Sequence, residues 1–183
     1  MSETALFLRR LLNNPRQVSA IAPSSLFLAR AMARTLGPQT GRVVEFGPGT
    51  GSLTRGILDS GVRPQDLTCF ELDPTFVDRL RKAFPGVTIH NAGADQAADH
   101  VASGVGAVVS GLPLLSMPTP IVTAILSAAF RVLKPGAAYI QFTYGPKPPV
   151  TEAIQSALGL TVERGPAVWL NLPPARVYLF RKA

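Results

Sequence analysis

The chain has 183 residues, enough for one domain with a proper core, and it carries a net charge of +7 with a sequence pI of about 10.3. Only 16% of its residues are charged, and no dense cluster of Lys and Arg marks a nucleic-acid binder, so an anionic membrane surface fits this composition at least as well. No stretch reaches the roughly 18 apolar residues of a membrane-spanning helix, and the first four residues lack the basic start of a secretory signal. The one cysteine, Cys69, is predicted to be buried and inert. These features favour a cytoplasmic protein with neither disulfides nor a metal site.

The first predicted helix, residues 5–14, has one apolar side and one cationic side. Either this helix packs on the domain, or it lies in a membrane interface with its cations beside anionic lipid. In the second interpretation the membrane-binding residues are Phe7, Leu8, Arg9, Arg10, Leu11 and Leu12. An irregular connector follows, and then a second helix over residues 26–36, capped by Ser24 or Ser25. These elements form the N-terminal part, which is predicted to cover residues 1–40.

From Arg42 onward, strand and helix patterns alternate, which predicts an α/β core over residues 41–183 with a parallel sheet and right-handed crossovers. The predicted strands are residues 43–46, 67–72, 87–91, 107–111, 138–143, 160–164, 167–170 and 176–181. The predicted helices are residues 53–60, 73–84, 95–103, 120–133 and 151–158. A turn at Lys134-Pro135-Gly136 is predicted to end the helix 120–133. The two parts together are predicted to form one compact domain.

A glycine-rich turn follows the first predicted strand of the core, in the run Val43-Val44-Glu45-Phe46-Gly47-Pro48-Gly49-Thr50-Gly51. The spacing is G-x-G-x-G, whereas a dinucleotide fingerprint requires a third glycine where Ser52 stands. Glu45 would repel a pyrophosphate but can accept a hydrogen bond from a cationic amino-acid group. The turn therefore favours S-adenosylmethionine, which has an α-amine and a sulfonium but no phosphate. The alternative is a turn that only joins a strand to a helix.

A second acid ends the next predicted strand. Glu71 follows Gly51 by 20 residues, the position at which an acid holds the ribose hydroxyls in Rossmann-type sheets. Leu72 then offers an apolar face to the adenine ring. Asp95, just past the third strand, is placed either to accept from the adenine amino group or to cap a helix.

The run E-x-G-x-G-x-G followed by E-L-D resembles the signature of class I S-adenosylmethionine-dependent methyltransferases. The chain resembles that superfamily over nearly its whole length. The resemblance implies a Rossmann-like seven-stranded sheet with an antiparallel last strand, preceded by N-terminal helices. It also implies S-adenosylmethionine as cofactor and S-adenosylhomocysteine as product. The predicted cofactor-binding residues are Gln17, Ser24, Glu45, Gly47, Pro48, Gly49, Thr50, Gly51, Glu71, Leu72, Ala94, Asp95 and Ser110.

Two loops on the expected substrate side are apolar and rich in proline. One runs from Leu112 to Pro118 and the other covers residues 169–174. Such loops suit acyl chains or a membrane surface, although they could equally pack on the N-terminal helices.

Four segments, residues 15–25, 109–114, 141–146 and 171–175, together resemble the compact soluble bacterial phospholipid N-methyltransferases. Ser19 departs from the glycine expected in that connector. The resemblance implies methylation of phosphatidylethanolamine, in up to three steps, toward phosphatidylcholine. It further implies a phospholipid partner, an N-terminal helix on an anionic membrane, and a location at the inner face of the plasma membrane. No nucleic-acid partner is expected, and the oligomeric state is left open.

Methyl transfer to an amine requires positioning and desolvation more than covalent chemistry. We predict that Tyr144, after the fifth strand, is the catalytic residue and either accepts a hydrogen bond from the amine or relays its proton. Tyr144 or Trp169 would hold a methylammonium through its aromatic face, and Lys147 or Arg176 would pair with a lipid phosphate. The predicted substrate-binding residues are Leu112, Pro113, Leu114, Lys147, Trp169 and Arg176. His90 and His100 are predicted to be structural.

Three other functions remain open. An adenine N6-dimethyltransferase of ribosomal RNA has a similar glycine-rich core, but Ser110 and Leu114 stand where such enzymes need an Asn and an aromatic ring that stacks on the flipped base. A methyltransferase acting on a quinone or another small metabolite is the second. A protein that binds S-adenosylmethionine without catalysis is the third.

Overall fold

The structure is a computed structural model that describes residues 25–183. Its α-helices are α1 (Leu26–Met32), α2 (Ser52–Asp59), α3 (Pro74–Ala83), α4 (Ala97–His100), α5 (Thr119–Val132) and α6 (Glu152–Leu158). Its strands are β1 (Val43–Phe46), β2 (Leu67–Phe70), β3 (Thr88–His90), β4 (Val105–Ser110), β5 (Leu133–Thr143), β6 (Leu160–Val168) and β7 (Ala175–Lys182). Short 3₁₀ turns cover Pro64–Asp66, Ala94–Gln96 and Leu114–Ser116.

The seven strands form one sheet in the order β3-β2-β1-β4-β5-β7-β6. Strands β1 to β5 pair in parallel, and β7 runs antiparallel to both of its neighbours, β5 and β6. This arrangement confirms the predicted α/β fold with a single antiparallel last strand. The strand order reverses between β1 and β4, and ligands of open α/β sheets bind beyond the carboxyl ends of the strands at that point.

Two apolar layers cover the sheet, because side chains alternate between its faces along every strand. Val43, Leu67 and Cys69 face a cluster that includes α1, α2 and α3. Val44 and Phe46 face the opposite cluster, which contains α4, α5 and α6. All four residues of β1 are buried, as the central strand of such a sheet requires.

Side chains cap three helices of the described chain, two of them at predicted starts. The Ser25 side chain accepts a hydrogen bond from the Leu28 amide at 3.2 Å and thus caps α1. Asp73 accepts from the Thr75 amide at 2.7 Å, immediately before Pro74 opens α3. Thr151 caps α6 in the same way.

Several predicted boundaries were wrong, among them the end of the helix predicted over residues 95–103, which stops at His100 as α4. Helix α1 ends at Met32 rather than at residue 36. Two strands were predicted over residues 160–164 and 167–170, but residues 160–168 form one strand, β6, because an irregularity between Arg164 and Ala167 shifts the register without ending the pairing. Trp169 and Leu170 lie in the turn that follows it. The predicted turn at residues 134–136 lies inside β5, which begins at Leu133.

The predicted helix over residues 5–14, its membrane-binding residues Phe7 to Leu12, and the cofactor-binding residues Gln17 and Ser24 lie outside the described residues. The boundary at residue 40 stays a prediction. Helix α1 nevertheless packs closely on α2, since a β-carbon at Gly56 would lie 2.8 Å from the Ala29 β-carbon. Among the helices of residues 25–183, none has both the length and the apolar character needed to cross a membrane.

Candidate functional site

The glycine turn joins β1 to α2 at the carboxyl edge of the sheet. Gly47, Gly49 and Gly51 have φ values of 68°, 53° and 87°, all in the left-handed region that glycine adopts without strain. A β-carbon at Gly47 would lie 2.6 Å from the Leu112 side chain, and one at Gly51 would lie 2.5 Å from the Phe84 ring. A β-carbon at Gly49 would meet nothing within 4 Å. Gly47 and Gly51 are therefore fixed by packing, and Gly49 leaves the backbone open to a ligand.

Glu71 connects the turn to the end of β2. Its Oε2 accepts a hydrogen bond from the Gly49 amide at 3.0 Å, and its Oε1 accepts from the amides of Leu72 and Asp73 at 2.8 and 3.0 Å. Burial raises the pKa of Glu71, while the three backbone hydrogen bonds act in the opposite direction. The two acidic motifs of the sequence thus meet at one edge, with the second carboxylate beside the open glycine.

Glu45 lies beneath the turn rather than at its mouth, where we expected it. Its carboxylate is fully buried, and its Oε2 accepts from the Thr54 hydroxyl at 2.7 Å and from the Cys69 thiol at 3.4 Å. Its Oε1 has no hydrogen-bond partner among residues 25–183. Burial, which outweighs the hydrogen bonds from Thr54 and Cys69, raises the pKa of Glu45 from 4.5 to about 7. A buried acceptor of this kind fits a cationic N–H donor such as an α-ammonium group, which would satisfy both its charge and its open hydrogen-bonding site.

Cys69 is buried in the middle of β2, as predicted, and burial raises the pKa of its thiol. Within residues 25–183, no three His, Cys, Asp or Glu side chains lie together as metal ligands would. The rings of His90 and His100 pack on one another, with centroids 4.6 Å apart, and His90 also stacks on Phe70 at 5.1 Å.

Asp95 does not cap a helix. It lies within the 3₁₀ turn Ala94–Gln96, whose N-cap is Gly93, and the following helix α4 has Gln96 at its N-cap. Its Oδ1 is buried and has no partner in the described part of the chain. This acceptor therefore fits a ligand amino group such as that of adenine, and the neighbouring Ala94 is buried beside it.

Asn91, which the sequence did not single out, holds the segment that follows β2. Its side-chain amide donates to the carbonyl oxygens of Glu71 and Leu72, each at 3.0 Å. Leu72 is half-buried and packs against the core. Asn91 thus fixes the backbone that carries both the predicted ribose-binding acid and the predicted adenine-packing side chain.

A buried polar network fixes the loop that follows β4. Ser110 accepts a hydrogen bond from the Leu112 amide at 3.3 Å, and Gln141 donates to the Leu112 carbonyl at 2.9 Å. The Tyr139 hydroxyl donates to Gln141 at 3.0 Å, and burial raises the pKa of Tyr139. Because its backbone is held at both ends, Leu112 is positioned over Gly47.

The rest of that loop divides its side chains between core and solvent. Pro113 is half-buried, Leu114 is buried and Leu115 is exposed. Leu112 therefore lies against the turn, Leu114 belongs to the core, and Leu115 lies on the surface.

Tyr144 directly follows β5 and is half-buried. Its ring makes an edge contact with Phe142, with centroids 5.3 Å apart, and the Asn171 side chain lies near its hydroxyl. Burial raises the pKa of Tyr144, so its phenol stays protonated at neutral pH.

Asn171 is a second residue that the sequence did not single out. It is buried in the loop between β6 and β7, accepts from the Ser25 amide at 3.2 Å and donates to the Pro173 carbonyl at 2.7 Å. The same residue thus joins the start of α1, the loop and Tyr144.

The remaining predicted substrate residues are not enclosed. Lys147 and Trp169 are exposed. Arg176 is half-buried and donates to the Gly165 carbonyl at 3.4 Å. The substrate roles of these three residues stay predictions.

A sequence profile of the methyltransferase domain family matches residues 43–136, just over half of the chain. Ornithine lipid N-methyltransferase of Singulisphaera acidiphila is 29% identical over 162 residues, which cover 80% of each protein. Ribosomal RNA small subunit methyltransferase A of Bordetella pertussis is 33% identical over 107 residues, which cover 57% of this chain but only 39% of that protein.

The fold is similar to the crystal structure of a TehB-like SAM-dependent methyltransferase from Corynebacterium glutamicum, with a TM-score of 0.66, 14% identity and 98% of each chain covered. The glycine turn and the β1 and β2 strands that carry the two acids lie within the region that the family profile matches. The chain therefore belongs to the methyltransferase domain family and is an enzyme that uses S-adenosylmethionine as its methyl donor.

Proposed function

We propose that this methyltransferase transfers methyl groups to the amine of a membrane lipid, phosphatidylethanolamine and its mono- and dimethyl forms, toward phosphatidylcholine. The observation that carries the proposal is the apolar cover that Leu112 places against Gly47 of the cofactor turn, at the start of a loop whose Leu114 is buried in the core. A site with this cover suits the neutral amine of an amphiphile better than a polar metabolite. The similarity to an ornithine lipid N-methyltransferase, which acts on a lipid, supports the same class of substrate.

Two of the acceptors that would hold the cofactor, Glu45 Oε1 and Asp95 Oδ1, have no hydrogen-bond partner among residues 25–183, whereas Glu71 already accepts from three backbone amides, one of them that of Gly49. Glu45 Oε1 suits the α-ammonium, Gly49 gives access to the backbone, Glu71 suits the ribose and Asp95 Oδ1 suits the adenine amino group. When bound, S-adenosylmethionine supplies an activated methyl group to a nucleophile. The carboxylate of Glu45 must be ionised to pair with an ammonium, and its raised pKa places that ionisation near neutral pH.

Tyr144 acts as an orienting hydrogen-bond acceptor for the N–H of the primary and monomethyl amines. The dimethyl amine has no N–H once it is deprotonated and does not make this hydrogen bond. Because the raised pKa keeps its phenol protonated, Tyr144 is not a strong base at neutral pH. The amine therefore loses its proton before it reaches the phenol oxygen, and the hydrogen bond aligns its lone pair. The apolar loop after β4 keeps water from the amine, which favours the uncharged form.

The lipid substrate implies a position at a membrane. We infer a cytoplasmic protein bound peripherally to the inner face of the plasma membrane, with the predicted helix over residues 5–14 contributing to binding. The net charge of +7 suits an anionic leaflet. In this arrangement the N-terminal part, residues 1–40, is the membrane-facing part of the enzyme and residues 41–183 are the catalytic core.

Ribosomal RNA is the second candidate substrate, since three ribosomal RNA small subunit methyltransferases are 33–34% identical to the chain over 57% of its length. In the loop after β4, position 114 holds a leucine rather than an aromatic side chain on which a flipped base would stack, and Leu114 is buried.

The two candidates are separated by incubating the purified full chain with labelled S-adenosylmethionine and either phosphatidylethanolamine vesicles or small-subunit ribosomal RNA. We expect label in the lipid fraction and none in RNA. Label in RNA alone would refute the lipid proposal, and vesicles of phosphatidylcholine, whose nitrogen is already fully methylated, serve as the negative control.

A further inference from the structure

Three apolar side chains project from the loop between β6 and β7, residues 169–174, here called the β6–β7 loop. The exposed fractions are 76% for Trp169, 71% for Leu170 and 87% for Leu172, the largest of any large apolar side chains in residues 25–183. Transfer of such side chains out of water is favourable. We propose that the β6–β7 loop is a membrane contact that inserts these side chains among the lipid headgroups, in addition to any contact made by residues 5–14.

The loop is held in a fixed shape with these side chains outward. Asn171, which stands between the exposed leucines, is buried. Its side chain accepts from the Ser25 amide and donates to the Pro173 carbonyl, and its backbone amide donates to the Val168 carbonyl at 3.3 Å. Because the loop is already ordered, insertion loses little conformational entropy.

The same loop adjoins the proposed acceptor site. The Asn171 side chain lies near the Tyr144 hydroxyl. Gly145, which follows Tyr144, lies beside the exposed Leu115, whose Cδ1 is 3.9 Å from where a β-carbon of Gly145 would be. Leu26 and Phe27, which directly follow Ser25, are also exposed. We call these exposed side chains, which lie on segments linked to Tyr144 through Ser25, Asn171 and Gly145, the apolar rim. A membrane that received the β6–β7 loop would therefore bring its headgroups to the tyrosine.

The charges near the rim suit an anionic surface. Residues 100–151 and 164–183, which supply the loops after β4 and β5 and the β6–β7 loop, contain no Asp or Glu. Lys147 is exposed after β5, and Arg176 lies at the base of the β6–β7 loop. Cations beside exposed Trp and Leu are the arrangement that interfacial segments use, with Trp at the level of the headgroups.

A lipid surface is favoured over a protein partner because the exposed set is small. A stable protein interface buries at least about 1,200 Å² in total, which the three side chains of one short loop do not provide. A bilayer needs no matching surface, since it receives each side chain separately.

The proposal rests on the proposed lipid substrate for its biological sense, but its test does not depend on turnover. Trp169 is the only tryptophan in the chain, so its fluorescence reports this loop alone. The full-length protein is titrated with vesicles of phosphatidylethanolamine and phosphatidylglycerol, with and without bromine on the acyl chains. We expect red emission in buffer, a blue shift with vesicles, and quenching by the brominated lipid.

Two variants that keep Trp169 give the matched comparison. Leu172→Asp should weaken vesicle binding by about tenfold or more, since it removes one inserted side chain and adds an anion. Val162→Asp changes an apolar residue of β6 that is 38% exposed and lies outside the loop. This variant should bind vesicles as the wild type does. Circular dichroism of both variants checks that they are folded.

Three results would overturn the proposal. Vesicle binding without quenching of Trp169 would mean that another part of the chain makes the contact. Blue emission that vesicles leave unchanged would mean that residues 1–24 or a second copy of the chain cover the loop. Equal binding by Leu172→Asp and the wild type would exclude insertion. Turnover of a short-chain phosphatidylethanolamine without vesicles tests the proposed function separately, so that either proposal can fail while the other stands.

Discussion

Replacing Glu45 by Gln removes a buried carboxylate while keeping its shape. Burial raises the native pKa of Glu45 from 4.5 to about 7. Because the native state then binds the proton more tightly than the unfolded chain does, this group stabilises the fold at low pH, and the stabilisation is lost as pH rises through 7. Gln does not titrate, so the difference between the wild type and Glu45→Gln isolates the effect.

The size of the effect follows from the shift. A difference of about 2.5 pKa units at about 1.4 kcal/mol per unit gives about 3.4 kcal/mol in full, of which about 2.5 kcal/mol falls between about pH 5 and about pH 8. The free energy of unfolding of Glu45→Gln should therefore rise by about 2.5 kcal/mol relative to the wild type over this interval. For a domain of this size the gap in Tm should change by about 5–10 °C. Any constant cost of burying the Gln amide cancels from this comparison.

Urea unfolding at a series of pH values measures the difference directly. Glu163→Gln is the matched control, because Glu163 is an exposed carboxylate paired with Arg181 at the surface, and it should show no comparable trend. Saturating S-adenosylmethionine should stabilise the wild type more than Glu45→Gln at about pH 8, since only an ionised carboxylate pairs with the ligand ammonium. If the difference in the free energy of unfolding between the wild type and Glu45→Gln did not change with pH, the environment assigned to Glu45 would be wrong.

Three further substitutions test the rest of the site. Tyr144→Phe should lower kcat for lipid methylation by about tenfold or more with unchanged affinity for S-adenosylmethionine, because it removes only the orienting hydroxyl; full turnover would exclude this role. Gly49→Ala should weaken S-adenosylmethionine binding, measured by calorimetry, about tenfold and should lower the free energy of unfolding by about 1 kcal/mol. Gly47→Ala should lower the free energy of unfolding by more, because its β-carbon would clash with Leu112. Asp95→Ala should weaken S-adenosylmethionine binding by about fivefold without lowering Tm, since its Oδ1 has no partner in residues 25–183; unchanged affinity would remove Asp95 from the adenine site.

Strand β1 was predictable to the residue because a β-branched run meets a glycine that must adopt positive φ. The start of β5 was not. Pro135 and Gly136 are strong turn signals, but Leu133 pairs with Val105 and the register then shifts before Ala107 pairs with Ala138. The irregular segment between those pairs tolerates a proline, which cannot donate to the ladder.

The cofactor site was predictable in its parts, since the glycine turn and Glu71 follow two adjacent parallel strands whose ends share one edge. The depth of Glu45 was not, because the direction of its side chain depends on Thr54 and Cys69. Asn171 gave no sequence signal either, since a lone amide in a loop has no periodicity. It binds the amide of Ser25, 146 residues away, and only the folded chain brings these residues together.

Identification of the atom that receives the methyl group is the most direct test of the proposed lipid methylation. The full-length protein is incubated with S-adenosylmethionine labelled with ¹³C in its methyl group and with phosphatidylethanolamine vesicles, and the extracted lipid is examined by NMR and mass spectrometry. We expect label on the headgroup nitrogen of the mono-, di- and trimethylated lipids. Label that never enters lipid, while the same preparation labels ribosomal RNA, would contradict it.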